Sequence, residues 1–164
     1  MTDESTISDS EIKEAADKIR AGAEVELSDV LCLVSASFER DDPVAPAPLI
    51  EAVIAKYETD RDYANGGADQ FVWNNGSELA RRFGEAWRAI GALENGDLLV
   101  RLADELDAYR SEIGDDKLAD DPVQRFLGYR KRVSGPFFGI PEPGEELAEA
   151  LVEWAIEHAG ELPV

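Results

Sequence analysis

Apolar residues recur at intervals of three and four positions along almost the whole chain. Ile12, Ala15, Ala16 and Ile19 are an early example, and later segments repeat this spacing. Such spacing places apolar side chains on one face of an α-helix, whereas a half-buried strand would alternate apolar and polar residues. Alternating runs are nearly absent. The pattern therefore predicts an all-α fold, a single compact domain of about seven to eight helices over residues 1–164.

Side chains that favour helix ends indicate where several of these helices begin and stop. Ser8 and Glu11 have the spacing of a capping box, in which each side chain accepts a hydrogen bond from the backbone amide of the other residue. Ser28 and Ser77 are predicted N-caps of two further helices, and Asp97 is predicted to open another. The predicted stops are residues that adopt the left-handed conformation at low cost, namely Gly22, Gly91 and Gly114.

The chain is strongly acidic. It has 36 Asp and Glu residues against 16 Lys and Arg residues, which gives a formal net charge of −20. Such a surface repels nucleic acid and anionic membranes and speeds association with cationic partners. No basic and apolar leader opens the chain, and no apolar run is long enough for a membrane span, so we expect a cytoplasmic protein. The charge favours a basic partner, above all a protein that itself binds DNA, over direct contact with nucleic acid or membrane.

The last helix follows an apolar loop at Pro136–Pro141, is predicted from about Pro143 to Ala159, and carries glutamates at four-residue spacing. In a helix these side chains form one row with charges about 6 Å apart, whereas a DNA duplex carries one charge per ~1.7 Å of its axis. One helix is therefore too dilute to imitate a duplex, and acids of the first helix or of the segment Asp104–Asp107 would have to lie beside it. The residues predicted to bind the partner are Glu142, Glu145, Glu149, Glu153, Glu157, Glu11 and Glu14.

A polar segment with paired glycines is the most specific local motif. Asn and Gly accept positive φ angles at low cost, so the start of the segment should reverse the chain. Gln70 and Asn74 lie four apart in a short helix predicted from Ala68 to Asn75, where their amides can satisfy backbone groups of the turn. A structural role is predicted, and a polar pocket for a small ligand is the alternative. The motif comprises Asn65, Gly66, Gly67, Gln70, Asn74 and Gly76.

The same residues, together with Phe71 and the helix end Ala89-Ile90-Gly91-Ala92, resemble the signature of the DNA-mimic protein domain family. The resemblance covers residues 46–114 and implies an acidic, helical, bacterial protein. The namesake of the family is a dimer whose surface carboxylates imitate duplex phosphates and capture a DNA-binding repressor. The resemblance therefore implies a DNA-binding partner such as a transcriptional regulator, and it allows for a homodimer. The chain departs from the family pattern at Ala68, where an aromatic residue is usual.

Catalytic chemistry has little support in the sequence. His158 is the only histidine, Cys32 is the only cysteine, and no cluster of these residue types suits zinc. We therefore expect no enzyme, no cofactor and no metal, and we expect structural roles for both residues. Three alternatives stay open: an immunity protein that neutralises a basic nuclease toxin, a small-ligand binder or enzyme that uses the Asn65–Asn74 segment, and an acidic composition without a partner.

Overall fold

The computed structural model describes residues 6–40, 43–114, 121–137 and 145–162, with the backbone alone at 63–65 and 135–137. Within these ranges the chain forms eight α-helices and one 3-10 turn, and none of their residues belongs to a strand. The predicted all-α fold is confirmed. The elements are α1 (Asp9–Ala21), α2 (Leu27–Glu39), α3 (Ala47–Gly66), α4 (Ala68–Asn75), α5 (Ser77–Ala89), α6 (Leu93–Ile113), α7 (Pro122–Phe137), α8 (Glu145–Glu157) and the 3-10 turn (Ala159–Glu161).

Helix α1 begins and ends as predicted. Ser8 Oγ accepts a hydrogen bond from the Glu11 amide at 3.3 Å, and the Glu11 carboxylate accepts one from the Ser8 amide at 2.9 Å. The helix stops at Gly22, which has a φ of 65° and whose amide donates to the carbonyl of Ile19. Two other predicted stops, which follow α5 and α6, also have positive φ angles: Gly91 and Gly114.

The predicted starts of α2 and α5 are wrong. Helix α2 begins at Leu27, with Glu26 as its N-cap, so that Ser28 lies inside the first turn. Helix α5 follows a glycine with a φ of 89° and begins at Ser77 itself. The Ser77 hydroxyl donates to the Asp107 carboxylate at 2.6 Å and does not cap its own helix. In α2 the Glu26 amide donates to the Asp29 carboxylate at 2.9 Å, so a Glu–Asp pair takes the place that local sequence assigns to Ser28.

The predicted start of α6 and the predicted end of α7 are also wrong. Helix α6 begins at Leu93, four residues before Asp97, because the carboxylate that accepts its first amides belongs to Glu146 in α8. Helix α7 continues to Phe137 and so includes two residues of the predicted apolar loop. The rest of that loop and the predicted start of the last helix lie outside the described residues.

The core joins all eight helices. Helices α5 and α6 pack most extensively against each other, whereas α8 packs mainly on α2 and also touches α1, α3 and α6. The indole of Trp87 in α5 is buried and donates to the Ala52 carbonyl of α3 at 3.2 Å. The buried Tyr129 hydroxyl of α7 donates to the Leu102 carbonyl of α6 at 3.0 Å, and burial raises the pKa of Tyr129. In the described ranges, no helix is both long and apolar enough to cross a bilayer.

Candidate interaction surface

One face of α8 carries every predicted glutamate of this helix. Leu147, Leu151 and Ala155 are buried against neighbouring helices, and the side chains on the opposite face are exposed. Because the exposed glutamates are four residues apart, their carboxylates follow one another at intervals of about 6 Å along the helix. This α8 acidic row consists of Glu145, Glu149, Glu153 and Glu157. Glu142, predicted as a further member, lies outside the described residues.

No base of the described residues forms an ion pair with the α8 acidic row. The ion pairs within 4.0 Å in the described part of the chain all use carboxylates of other helices, and none includes a glutamate of the row. Ion pairing within the described residues offsets none of their formal charges. Their charge therefore remains available to cations from outside the molecule.

Two further exposed glutamates lie near the ends of α8. The Glu94 amide, in the first turn of α6, donates to the carboxylate of Glu146 at 2.9 Å, which places Glu94 beside the first turn of α8. At the other end, the Glu161 amide donates to the carbonyl of His158 at 2.8 Å in the 3-10 turn. Sequence reasoning missed Glu94, because it placed the start of α6 four residues too late.

Helix α1 lies beside α8. It carries Glu11 and Glu14, the two other residues predicted to bind the partner. The Glu11 carboxylate accepts hydrogen bonds from the Ser8 hydroxyl at 2.6 Å and the Ser8 amide at 2.9 Å, and the hydroxyl lowers the pKa of Glu11. Glu14 is exposed. Two lysines of α1 form ion pairs with carboxylates, Lys13 with Asp17 at 2.6 Å and Lys18 with a residue of α2. The outer face of α1 is therefore mixed in charge, and α8 carries the more uniform acidic surface.

The acids of α6 do not extend the row. Asp104 and Asp107 both accept from Arg81 of α5, at 2.8 and 2.6 Å, and Glu105 accepts from Arg132 of α7 at 2.6 Å. These arginines neutralise the acids at close range. The group also lies about 15 Å along α6 from the end that touches α8. The expectation that residues 104–107 could complete a continuous acidic surface is wrong for this reason.

The paired-glycine segment forms the junction of α3 and α4. Gly66 still belongs to the last turn of α3, and the chain reverses at Gly67, which has a φ of 91°. The side chain of Gln70 lies against Gly66, where a Cβ would come within 2.6 Å of the Gln70 Cδ atom. Asn74 is exposed. The side-chain hydrogen bonds that were predicted for Asn74 are made by the neighbouring Asn75.

Asn75 holds this junction together. Its Nδ2 atom donates to the carboxylate of Asp62 in α3 at 2.8 Å and to the carbonyl of Phe71 at 2.9 Å. Phe71 is buried and stacks on Phe83 of α5, with ring centroids 5.8 Å apart. Sequence reasoning chose the wrong member of an Asn-Asn pair, because neighbouring residues of a helix project about 100° apart and the local pattern does not show which of the two faces α3. The contacts are those of a structural junction between three helices.

The single histidine and the single cysteine make local contacts. The imidazole of His158 stacks on the indole of Trp154, with centroids 3.9 Å apart and planes 10° apart. Its Nδ1 atom lies 2.9 Å from the Trp154 carbonyl oxygen, and because that oxygen only accepts, Nδ1 carries the proton. Burial raises the pKa of the Cys32 thiol, which disfavours the reactive thiolate. Among the described side chains, no three His, Cys, Asp or Glu residues are grouped as a metal site would require.

A family model described as DMP19-like protein matches residues 48–158, more than half of the chain. The chain belongs to the DMP19-like protein family. This result confirms the resemblance to a DNA-mimic family and extends it beyond residue 114 through α8. No curated protein and no solved structure matched the chain.

The match divides the candidate residues of this DMP19-like chain into two groups. It includes α3 to α8, and hence the junction at Gly66 and Gly67 and the whole α8 acidic row. Helices α1 and α2, with Glu11 and Glu14, lie before the matched region. The acidic surface that belongs to the DMP19-like region is therefore the one on α8.

Proposed function

We propose that this chain is a non-catalytic interaction protein that acts in the cytoplasm as a DNA mimic and binds a basic DNA-binding protein such as a transcriptional regulator. The observation that carries the proposal is the α8 acidic row, which is exposed, regularly spaced and free of ion pairs within the described residues. Membership of the DMP19-like family supports this interpretation. A partner surface that accepts duplex phosphates presents lysines and arginines, and the row offers carboxylates to those same groups.

The spacing of the row limits how it can act. The four carboxylates span about 18 Å of helix, at one charge per ~6 Å, which is several-fold more dilute than a duplex. Glu94 and Glu161 are exposed near the two ends of α8 and add negative charge there. The row therefore competes for a subset of phosphate-binding residues. A chain that binds in this way excludes DNA from the partner without copying the whole duplex.

The distribution of ion pairs gives the molecule one preferred side for a basic partner. Arg81 and Arg132 cover the acids in the middle of α6, whereas α8 has no such cover from the described residues. A cationic partner is therefore attracted to the exposed face of α8. The side formed by α5, α6 and α7 is nearly neutral and attracts it much less. Association through exposed charges is fast at low ionic strength and weakens as salt is added, because counter-ions screen the field within about 10 Å at 0.1 M.

The proposal is tested by affinity capture from the native cell followed by competition with DNA. Immobilised protein is exposed to cell extract at low and at high salt, and each captured protein is then tested for DNA binding. We expect a basic DNA-binding protein that is retained at low salt, lost at high salt and displaced by its own duplex site. A captured protein that holds the chain and its DNA at the same time would contradict the mimic mechanism.

A further inference from the structure

Glu146 differs from its acidic neighbours on α8 because its carboxylate faces another helix. Its Oε1 atom accepts a hydrogen bond from the Glu94 amide at 2.9 Å, and its Oε2 atom accepts one from the Asn95 amide at 3.0 Å. The side-chain amide of Asn95 donates a third hydrogen bond to the same Oε2 atom. One carboxylate thus receives three donors from the first turn of α6, about fifty residues away in sequence.

These three bonds supply the cap that α6 lacks locally. The first amides of a helix have no partner within the helix, and a carboxylate beside them is further stabilised by the helix dipole. The residue at the N-cap position of α6 is Ala92, which has no side-chain acceptor. Glu146 therefore completes α6 from the side of α8, and each helix fixes the other at this point.

Asn95 reinforces this contact. The residue is only 2% exposed, and its Oδ1 atom is buried without a hydrogen-bond partner among the described residues. A buried, unpaired acceptor is costly, so its position depends on the hydrogen bond that the other end of the same amide makes. That bond goes to Glu146, so the carboxylate helps to orient this buried side chain.

We infer that Glu146 is the positioning residue of the α8 acidic row. Burial of Leu147 and Leu151 decides which face of α8 is exposed, and Glu146, by holding the first turn of α8 against α6, fixes where the first turn of the row lies relative to α6. Glu145, the adjacent residue, then points outward as the first member of the row. The inference rests on the proposed function of the row, and it assigns Glu146 a role that does not require contact with the partner.

The adjacent glutamates provide a matched pair of variants. Glu145→Gln and Glu146→Gln each remove one negative charge from the first turn of α8, but only the second replaces one acceptor oxygen of the α6 cap by an NH2 group, which cannot accept. Asn95→Ala is a milder variant that removes one donor to Glu146 and changes no charge. The two measurements are hydrogen exchange at the amides of Glu94 and Asn95, and binding of a synthetic oligolysine peptide at several salt concentrations. Both are made at a temperature where all variants are folded.

We expect Glu146→Gln to speed exchange at the two amides about fivefold, the effect of a weakened cap, while Glu145→Gln leaves exchange unchanged. We expect oligolysine binding to weaken about fivefold in Glu146→Gln and about twofold in Glu145→Gln, because misplacement of α8 affects several carboxylates and loss of one exposed charge affects one. Asn95→Ala is expected to weaken binding although the net charge is unaltered. A residue that only stabilises the fold would leave the binding of the folded protein at the level of Glu145→Gln.

Equal binding by Glu145→Gln and Glu146→Gln, with Asn95→Ala at the wild-type level, would overturn the inference. Unchanged exchange at Glu94 and Asn95 in Glu146→Gln would overturn it as well. A failure of the proposed function gives a different result. In that case a variant with all four glutamates of the row changed to Gln binds oligolysine as wild type does, whereas the exchange effect of Glu146→Gln persists.

Discussion

Gly84 of α5 and Gly96 of α6 lie against each other where the two helices meet. A Cβ atom on Gly84 would lie 2.7 Å from the carbonyl oxygen of Gly96, and a Cβ on Gly96 would lie 2.6 Å from the carbonyl oxygen of Gly84. Only hydrogen atoms fit between backbones at this separation, so both positions need glycine. The contact also fixes the first turn of α6, because Asn95, which binds Glu146, precedes Gly96 directly.

Substitution of Gly96 by Ala should therefore destabilise the protein, although Ala is the better helix former by about 1 kcal/mol. We expect a loss of about 1–3 kcal/mol in the free energy of unfolding, since the added methyl group forces two backbones apart. Urea denaturation measures this loss. Gly160→Ala is the control, because a Cβ there meets no atom within 4 Å. Equal stability of the two variants would show that the helices separate at no cost.

Glu24 has a φ of 54°, a left-handed conformation that costs a residue with a β-carbon about 1 kcal/mol. Glu24→Gly removes that cost and adds some entropy to the unfolded chain. We expect a net gain of about 0.5 kcal/mol in the free energy of unfolding. Glu24→Gln removes the same charge, keeps the β-carbon and should give no gain. If the free energy of unfolding rises equally in both variants, the cause is relief of charge repulsion and not relief of backbone strain.

The hydrogen bond from Ser77 to Asp107 should appear as a pH dependence of stability. The Ser77 hydroxyl is the largest cause of the lowered pKa of Asp107, and Arg81 adds to it. A carboxyl whose pKa is lower in the folded state stabilises the fold above its ordinary pKa, near 4, and loses this effect as pH falls through the folded pKa. Ser77→Ala should therefore cost about 0.5 kcal/mol at pH 7 and close to nothing below the folded pKa.

The measurement for this variant is the unfolding free energy at neutral and at acidic pH, together with an NMR titration of the Asp107 carboxyl. The titration should show a higher pKa for Asp107 in Ser77→Ala than in wild type. Ser134→Ala, at an exposed serine whose hydroxyl donates to a backbone carbonyl, is the control. A stability difference of the same size at every pH would exclude Asp107 as its source.

The sequence was sufficient for features that depend on neighbouring residues. Apolar spacing predicted the helices, because a helix that buries one face has apolar residues at every third or fourth position. The Ser8–Glu11 cap and the stop at Gly22 were also predicted, since each involves residues within one turn. The exposure of the α8 acidic row follows from the same periodicity: carboxylates on the face opposite to Leu147 and Leu151 have to face solvent.

Features that depend on contacts between distant segments were missed. The start of α6 was misplaced because its cap, Glu146, lies about fifty residues away in sequence. The charges of Asp104 and Glu105 in the middle of α6 are compensated by ion pairs with Arg81 and Arg132, which belong to two other helices. The close approach of Gly84 and Gly96 has no local signature either. From sequence alone, a glycine inside a helical pattern indicates only a lower helix propensity.

The α8 acidic row is tested most directly by measuring its affinity for the basic protein that the proposed affinity capture is expected to yield. In one variant, the four glutamates of the row are changed to Gln. In a control variant of equal charge, exposed glutamates of other helices are changed instead, namely Glu58, Glu78, Glu85 and Glu112. We predict that the row variant binds at least about tenfold more weakly and loses most of its salt dependence, while the control variant changes less than about threefold. Equal weakening of the two variants would show that net charge alone governs binding and would contradict a specific acidic face on α8.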